Sequence, residues 1–174
     1  AGTEITTSPW ASSDTVLQRM IDARPAEPVA KSMAPEVVGN AYRAEVLVVE
    51  DNRDMRDFIC RILEPEAQTR AVENGRIALE AMAERVPDLV VTDMMMPEMT
   101  GDELLTELRR SEQLRDLPVV MLTAKADDEL KLNLLHDGAQ DYVMKPFSVD
   151  ELRARVRNQL QTKRTRDVLR QALD

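Results

Sequence analysis

The stretch LVVTDMMMPEMTG, residues 89–101, runs apolar into one aspartate, Asp93, then turns through three methionines and a proline. A carboxylate at the end of a buried strand is costly unless something beside it uses the charge. A strand that is apolar on both faces belongs inside a parallel sheet covered by helices on each side. The surrounding sequence must supply both the sheet and the use of Asp93.

Upstream, EVLVVE (45–50) is apolar throughout its middle, and downstream LPVVMLT (117–123) repeats that character. QTRAV (68–72) and QDYVM (140–144) read as weaker strands. Between them lie amphipathic segments. RDMRDFICRIL (53–63) carries Met55, Phe58, Ile59 and Ile62 on one helical face and stops before Pro65. GRIALEAMAERV (75–86) has Ile77, Leu79, Met82 and Val86 as anchors before Pro87, and GDELLTELRRS (101–111) turns Leu104, Leu105 and Leu108 inward. DDELKLNLLHDG (127–138) closes on Gly138, and a last helix opens at Ser148 with Glu151 three residues on, a capping box. Five alternations of strand and helix demand parallel strands, because parallel neighbours need right-handed crossovers. The expected architecture is a doubly wound α/β domain with a five-stranded parallel sheet.

Composition narrows the function. Of 174 residues, 43 % are hydrophobic but only 3 % aromatic, so Leu, Val, Met and Ala must fill the core. A formal net charge of -9 argues against nucleic-acid binding. The lone Cys60, in FICRIL, excludes an internal disulfide, reads as a packing residue and fits a reducing, cytoplasmic compartment. No apolar run approaches the ~18–20 residues of a membrane span, so this segment is expected to make no membrane contact, although a parent protein could be membrane-anchored. The first residue is Ala rather than Met, which suggests a piece of a longer protein.

In open parallel sheets the chemistry gathers beyond the carboxyl ends of the strands. There the sequence places Glu50 and Asp51, then Asp93, Thr123 and Lys145, the last followed by Pro146. Three clustered carboxylates raise one another's pKa unless a cation joins them. With no His or Cys among them, the donors are hard oxygens suited to Mg2+ or Mn2+. One divalent ion, one ammonium and one hydroxyl match the three equatorial oxygens of a transferring phosphoryl group. Asp93 is then the nucleophile that takes the phosphoryl covalently.

VLVVEDN, DLVVTDMMMPEMTG, VVMLTA and DYVMKPF, in this order over roughly 45–160, resemble the response-regulator receiver family of two-component systems. The resemblance implies a flavodoxin-like strand order 2-1-3-4-5 and a bacterial phosphorelay in which a histidine kinase or histidine phosphotransfer domain loads Asp93. It implies that Asp51 and Asp93 bind the metal directly, that Met95 adds its main-chain carbonyl, and that Glu50 acts through water. Lys145 would bond the phosphoryl group, with a cis peptide to Pro146. Thr123 would move toward the phosphoryl group and Tyr142 inward with it, altering the surface made by helix 127–138, the last strand and the last helix. Met95 and Lys125, each two residues past a site residue, offer no base for an attacking water, so slow self-hydrolysis is expected. Such a chain is a self-phosphorylating acceptor rather than a turnover enzyme.

Other readings stand beside these. Asp93, Glu50 and Asp51 could be helix caps, since acidic residues favour a first helical turn. Thr123 could be a plain strand end and Tyr142 a half-buried strand residue. Met94 to Met96 could serve packing alone. His136 reads as solvated, so the segment is not its own histidine phosphodonor. A haloacid-dehalogenase-type phosphohydrolase wants a second acid where Met95 stands. A flavodoxin-like cofactor binder wants a Gly- or Ser-rich first loop, where EDNRD is acidic. A degenerate receiver used for docking or dimerisation is the remaining alternative.

Two flanking regions complete the layout. Residues 1–44, with Pro9, Pro25, Pro28 and Pro35 and a short cluster of Val16, Leu17, Met20 and Ile21, read as a linker. Residues 161–174 extend the last helix without a Gly or Pro stop, giving roughly 37 Å from Asp150 onward. Leu152, Val156 and Leu160 line one face, and Val168, Leu169 and Leu173 resume it as an interrupted seam. The seam suits a connector to a downstream signalling domain, as in a hybrid sensor kinase, and also a homodimer. The basic set Arg153, Arg155, Arg157, Lys163, Arg164, Arg166 and Arg170 reads as a solvated face.

Overall fold

The computed structural model describes residues 42–124, 133, 136 and 138–174. The linker reading for residues 1–41, most of the helix read over 127–138, and Lys125 lie outside them. The strands are β1 (Glu45–Val49), β2 (Gln68–Val72), β3 (Leu89–Asp93), β4 (Val119–Thr123) and β5 (Asp141–Met144). The helices are α1 (Arg53–Leu63), α2 (Gly75–Glu84), α3 (Gly101–Arg110) and α4 (Val149–Leu173). All strand pairs are parallel, in the order β2-β1-β3-β4-β5, as the doubly wound reading requires. Among the described residues no helix is long and apolar enough to cross a membrane.

The pleat divides the sheet's side chains between two cores. Val46, Val48, Leu89, Val91, Val120, Leu122 and Val143 face Met55, Ile59, Ile62 and Leu63 of α1 with Leu152 and Val156 of α4. Leu47, Val49, Val90, Val119 and Met121 face Ala78 and Met82 of α2 and the leucines of α3. β1, β3 and β4 are apolar on both faces because helices cover both. Each Leu or Ile hidden this way contributes about 1.5–3 kcal/mol relative to exposure.

Several expectations shift. α2 stops at Glu84, and its buried face centres on Ala78 and Met82, with Ile77 and Leu79 half-buried and Val86 exposed. Ala78, at 0 % exposure, holds a place on the buried face that the larger Ile77 and Leu79 do not. The reciprocal capping box forms at Thr100 and Glu103 of α3, while at α4 Ser148 accepts from the Glu151 amide at 3.0 Å. The basic face of α4 is largely exposed, as expected, with Arg155, Arg157, Arg164 and Arg170 all open to solvent, but most of its charges have partners. Arg153 bonds the Ile62 carbonyl, Arg155 pairs with Asp141, Arg157 with Glu66, Lys163 with Asp88 and Asp167, and Arg170 with Asp116. Four of these side chains, Arg155, Arg157, Lys163 and Arg170, thus reach acids elsewhere in the domain.

Arg109, at the end of α3, was not singled out by the sequence. Its guanidinium donates to the carbonyls of Gly138, Arg115 and Leu117 and to Gln140 Oε1, gathering the loops on either side of β4. Gly138 has φ +101°, a left-handed conformation that favours glycine, and a Cβ there would meet Arg109 Nε at 2.7 Å.

Candidate functional site

β1, β3, β4 and β5 end at one edge, and each delivers a polar group there. Asp93 is the last residue of β3, paired in register with Leu122 of β4. Thr123 ends β4 and is 2 % exposed. Its carbonyl accepts from the Lys145 amide at 2.7 Å, which carries the β4–β5 pairing one residue further and sets Lys145 beside it. The Lys145–Pro146 peptide is cis. Glu50 follows β1 and is tied to β2 by a 3.1 Å bond from its amide to the Val72 carbonyl.

None of the three carboxylates is the N-cap of a described helix, although Glu50 accepts from the Asn52 amide at 3.1 Å. α1 is capped by Asn52, whose side chain accepts from the Met55 amide at 2.9 Å, and α3 is capped by Thr100. Carboxylate oxygens of Glu50, Asp51 and Asp93 instead converge within 4.8 Å of one another. Lys145 Nζ lies 3.1 Å from Asp93 Oδ1 and 3.3 Å from Glu50 Oε2. Three acids face one ammonium, leaving the cluster in want of positive charge.

The acid–base balance registers that deficit. Burial, and then the Asp93 charge, push Glu50 up to about 8, against the pull of Lys145. Burial also raises Asp93, with Asp51 adding to it and Lys145 opposing. For Lys145 burial alone would lower the ammonium, but Asp93 and Glu50 outweigh it and hold the group above its ordinary value. An all-oxygen trio of two buried carboxylates and the exposed Asp51, whose charges repel, is what a hard divalent cation would neutralise, so these residues fit Mg2+ or Mn2+.

The other expected residues sit around this centre. Met95 is exposed at 71 %, two positions past Asp93, whereas Met96 is buried in the core. Tyr142 is half-buried on β5 and packs against the α2–α3 core. His136 is exposed. Cys60 is half-buried against the α1–α4 core, its thiol pushed up chiefly by burial.

Gly101 is the residue the motif reading left unexplained. Its amide donates to the Met94 carbonyl at 2.8 Å, closing the loop after β3. A Cβ there would stand 2.3 Å from the Asp93 carbonyl oxygen and 3.0 Å from Met94 Cα. Backbone cannot swing aside as a side-chain tip can. Gly101→Ala is therefore expected to destabilise the domain by about 1–3 kcal/mol, through overpacking. A urea midpoint equal to that of the wild type would show that the loop absorbs the methyl group. The cue was a glycine directly after a Thr cap.

Residues 46–157 match the response regulator receiver domain. A sensor histidine kinase of Ectopseudomonas mendocina, TmoS, is 42 % identical over 146 residues, covering 84 % of this chain and 15 % of the relative. Hybrid signal transduction histidine kinase D of Dictyostelium discoideum is 44 % identical over 128 residues, covering 74 % of this chain and 8 % of the relative. The chain thus spans a small part of these relatives. Among solved structures, the signal receiver domain of a histidine kinase from Syntrophus aciditrophicus superposes with TM-score 0.64 at 35 % identity, over 68 % of this chain and 91 % of that one. NtrX of Brucella abortus gives TM-score 0.69 at 31 % identity, over 75 % of this chain and 30 % of that one.

Proposed function

The chain belongs to the response regulator receiver domain family, a unit of two-component signalling, and we propose that it accepts a phosphoryl group on Asp93 from a partner's phosphohistidine. The observation that carries this reading is the Lys145 ammonium, 3.1 Å from Asp93 and 3.3 Å from Glu50, beside three convergent carboxylates. An Asp93 carboxylate oxygen attacks phosphorus, the P–N bond breaks, and the imidazole leaves with its electron pair. Lys145 compensates charge on the transferred oxygens, and the Thr123 hydroxyl donates to one of them. Magnesium or manganese, held by Asp51, Asp93 and the Met95 carbonyl, with Glu50 through water, would supply further neutralising charge. The donor is a histidine kinase or histidine phosphotransfer domain. Loading shifts Thr123 and Tyr142, and α4 carries the change toward a downstream signalling domain or a second copy.

Incubation with Mg2+ and acetyl phosphate, followed by weighing the intact protein, tests the proposal. One stable adduct of about 80 Da supports an acyl phosphate. Steady phosphate release from unrelated esters would instead favour a hydrolase, and no adduct a docking module. Because Met95 offers no base to an attacking water, the loaded form is expected to last minutes or longer. Decay within a few seconds would show that another group activates water.

Metal and pH are linked through Glu50. Its pKa of about 8 lies above the ordinary 4.5, so the folded protein holds a proton that the unfolded chain releases. That contribution to stability is whole below about pH 4.5 and is lost as pH rises through about 8. A cation among the carboxylates competes with this proton. Mg2+ is therefore expected to raise the melting temperature more at pH 8 than at pH 6, each tenfold excess over its dissociation constant adding about 1.4 kcal/mol. Equal shifts at both pH values would separate the cation from Glu50.

A further inference from the structure

The amino ends of the parallel strands form the floor of the sheet, on the side away from Asp93, and α4 runs down to it. Asp88, directly before β3, is 8 % exposed. One of its carboxylate oxygens accepts from the Tyr42 hydroxyl at 2.6 Å and from the Glu45 amide at 2.8 Å. The other lies 3.4 Å from Lys163 Nζ. Next along the floor, Asp116 receives Arg166 on its carbonyl and Arg170 on its carboxylate, each at 3.1 Å. Tyr42, Ala44, Leu160, Lys163, Arg164 and Val168 line one groove of about 180 Å3, so the incoming segment and the departing helix border each other.

We infer that Asp88 is a latch that docks the last turns of α4 on the floor of the sheet and couples that docking to the chain entering at Tyr42. A buried carboxylate needs its charge balanced, and Lys163 brings the ammonium. The Asp116–Arg170 pair is exposed on both sides and holds little. Asp88 is therefore where docking is decided. Displacing Tyr42 opens the carboxylate to water, which lessens its need for Lys163 and loosens the helix. Pulling the helix away leaves the carboxylate to its two remaining donors. The phenol of Tyr42 is pushed up to about 12, chiefly by its hydrogen bond to Asp88, in keeping with a tight contact.

Amide hydrogen exchange on the whole chain tests the latch. Lys163→Met is expected to speed exchange over residues 163–173 about threefold to tenfold, the worth of a partly buried ion pair, and to leave 152–160 unchanged. Lys163 also pairs with Asp167 at 2.6 Å, so Asp167→Asn is the control and should release far less. Tyr42→Phe, which removes only the bond to Asp88, is expected to speed the same stretch severalfold. Three results would overturn the inference: a wild type whose residues 163–173 already exchange like a free helix end, an Asp167→Asn or Arg170→Gln variant that matches Lys163→Met, or a Tyr42→Phe variant that leaves the helix unchanged. None of these substitutions touches the Asp93 site, so phosphoryl loading should persist in all of them.

Discussion

Asp93→Asn is expected to gain no mass from acetyl phosphate under conditions in which the wild type gains about 80 Da. An amide oxygen keeps the shape of the side chain but is too weak a nucleophile to attack phosphorus. The substitution also removes a charge that repels Glu50, while Lys145 keeps Glu50 as a partner at 3.3 Å. The variant should therefore melt at or above the wild-type temperature near pH 8, so that failure to load cannot be laid to unfolding. An adduct of undiminished yield in a folded Asp93→Asn protein would move the acceptor to another residue and end the proposed role of Asp93.

Lys145→Met has the next largest expected effect, and it acts on stability and chemistry together. Removing the ammonium strands Glu50 and Asp93, whose side chains are 2 % and 10 % exposed. Breaking a fully buried pair costs about 3–5 kcal/mol. Here the orphaned acids can take up protons, so the loss should be nearer about 2 kcal/mol at pH 8 and smaller at pH 5. The sign follows from the raised carboxyl pKa values: without Lys145 they rise further, and stability falls more steeply as pH climbs. Mg2+ should restore part of the stability by supplying positive charge. It should not restore loading, which is expected to drop at least about 100-fold with the loss of a donor aimed at the phosphoryl oxygens. Wild-type loading in this variant would reduce Lys145 to a structural counter-charge.

What could be read in the sequence was whatever rests on local pattern. The apolar runs of β1, β3 and β4 announce a sheet buried on both faces, and the polar residues closing them mark the edge where Glu50, Asp51, Asp93, Thr123 and Lys145 meet. The phase of α2 could not be read the same way. Its buried face centres on Ala78 as well as Met82, and pattern reading passes over an alanine in favour of larger neighbours. Gly101 was equally opaque, because its constraint comes from the Asp93 carbonyl, a backbone atom eight residues away in the chain. The partners of the basic residues on the largely exposed face of α4 were hidden for a similar reason. These acids, Glu66, Asp88, Asp116 and Asp141, are scattered along the chain and come together only when the helix packs across the sheet.

The convergence of Tyr42 and Lys163 on one carboxylate bears on how the unit could be moved between proteins. A segment whose two ends both reach one buried carboxylate enters and leaves on the same side, which suits insertion into a surface turn of a host. Residues 42–163 have that geometry, and a graft carrying them should keep both its own sheet and its host's fold.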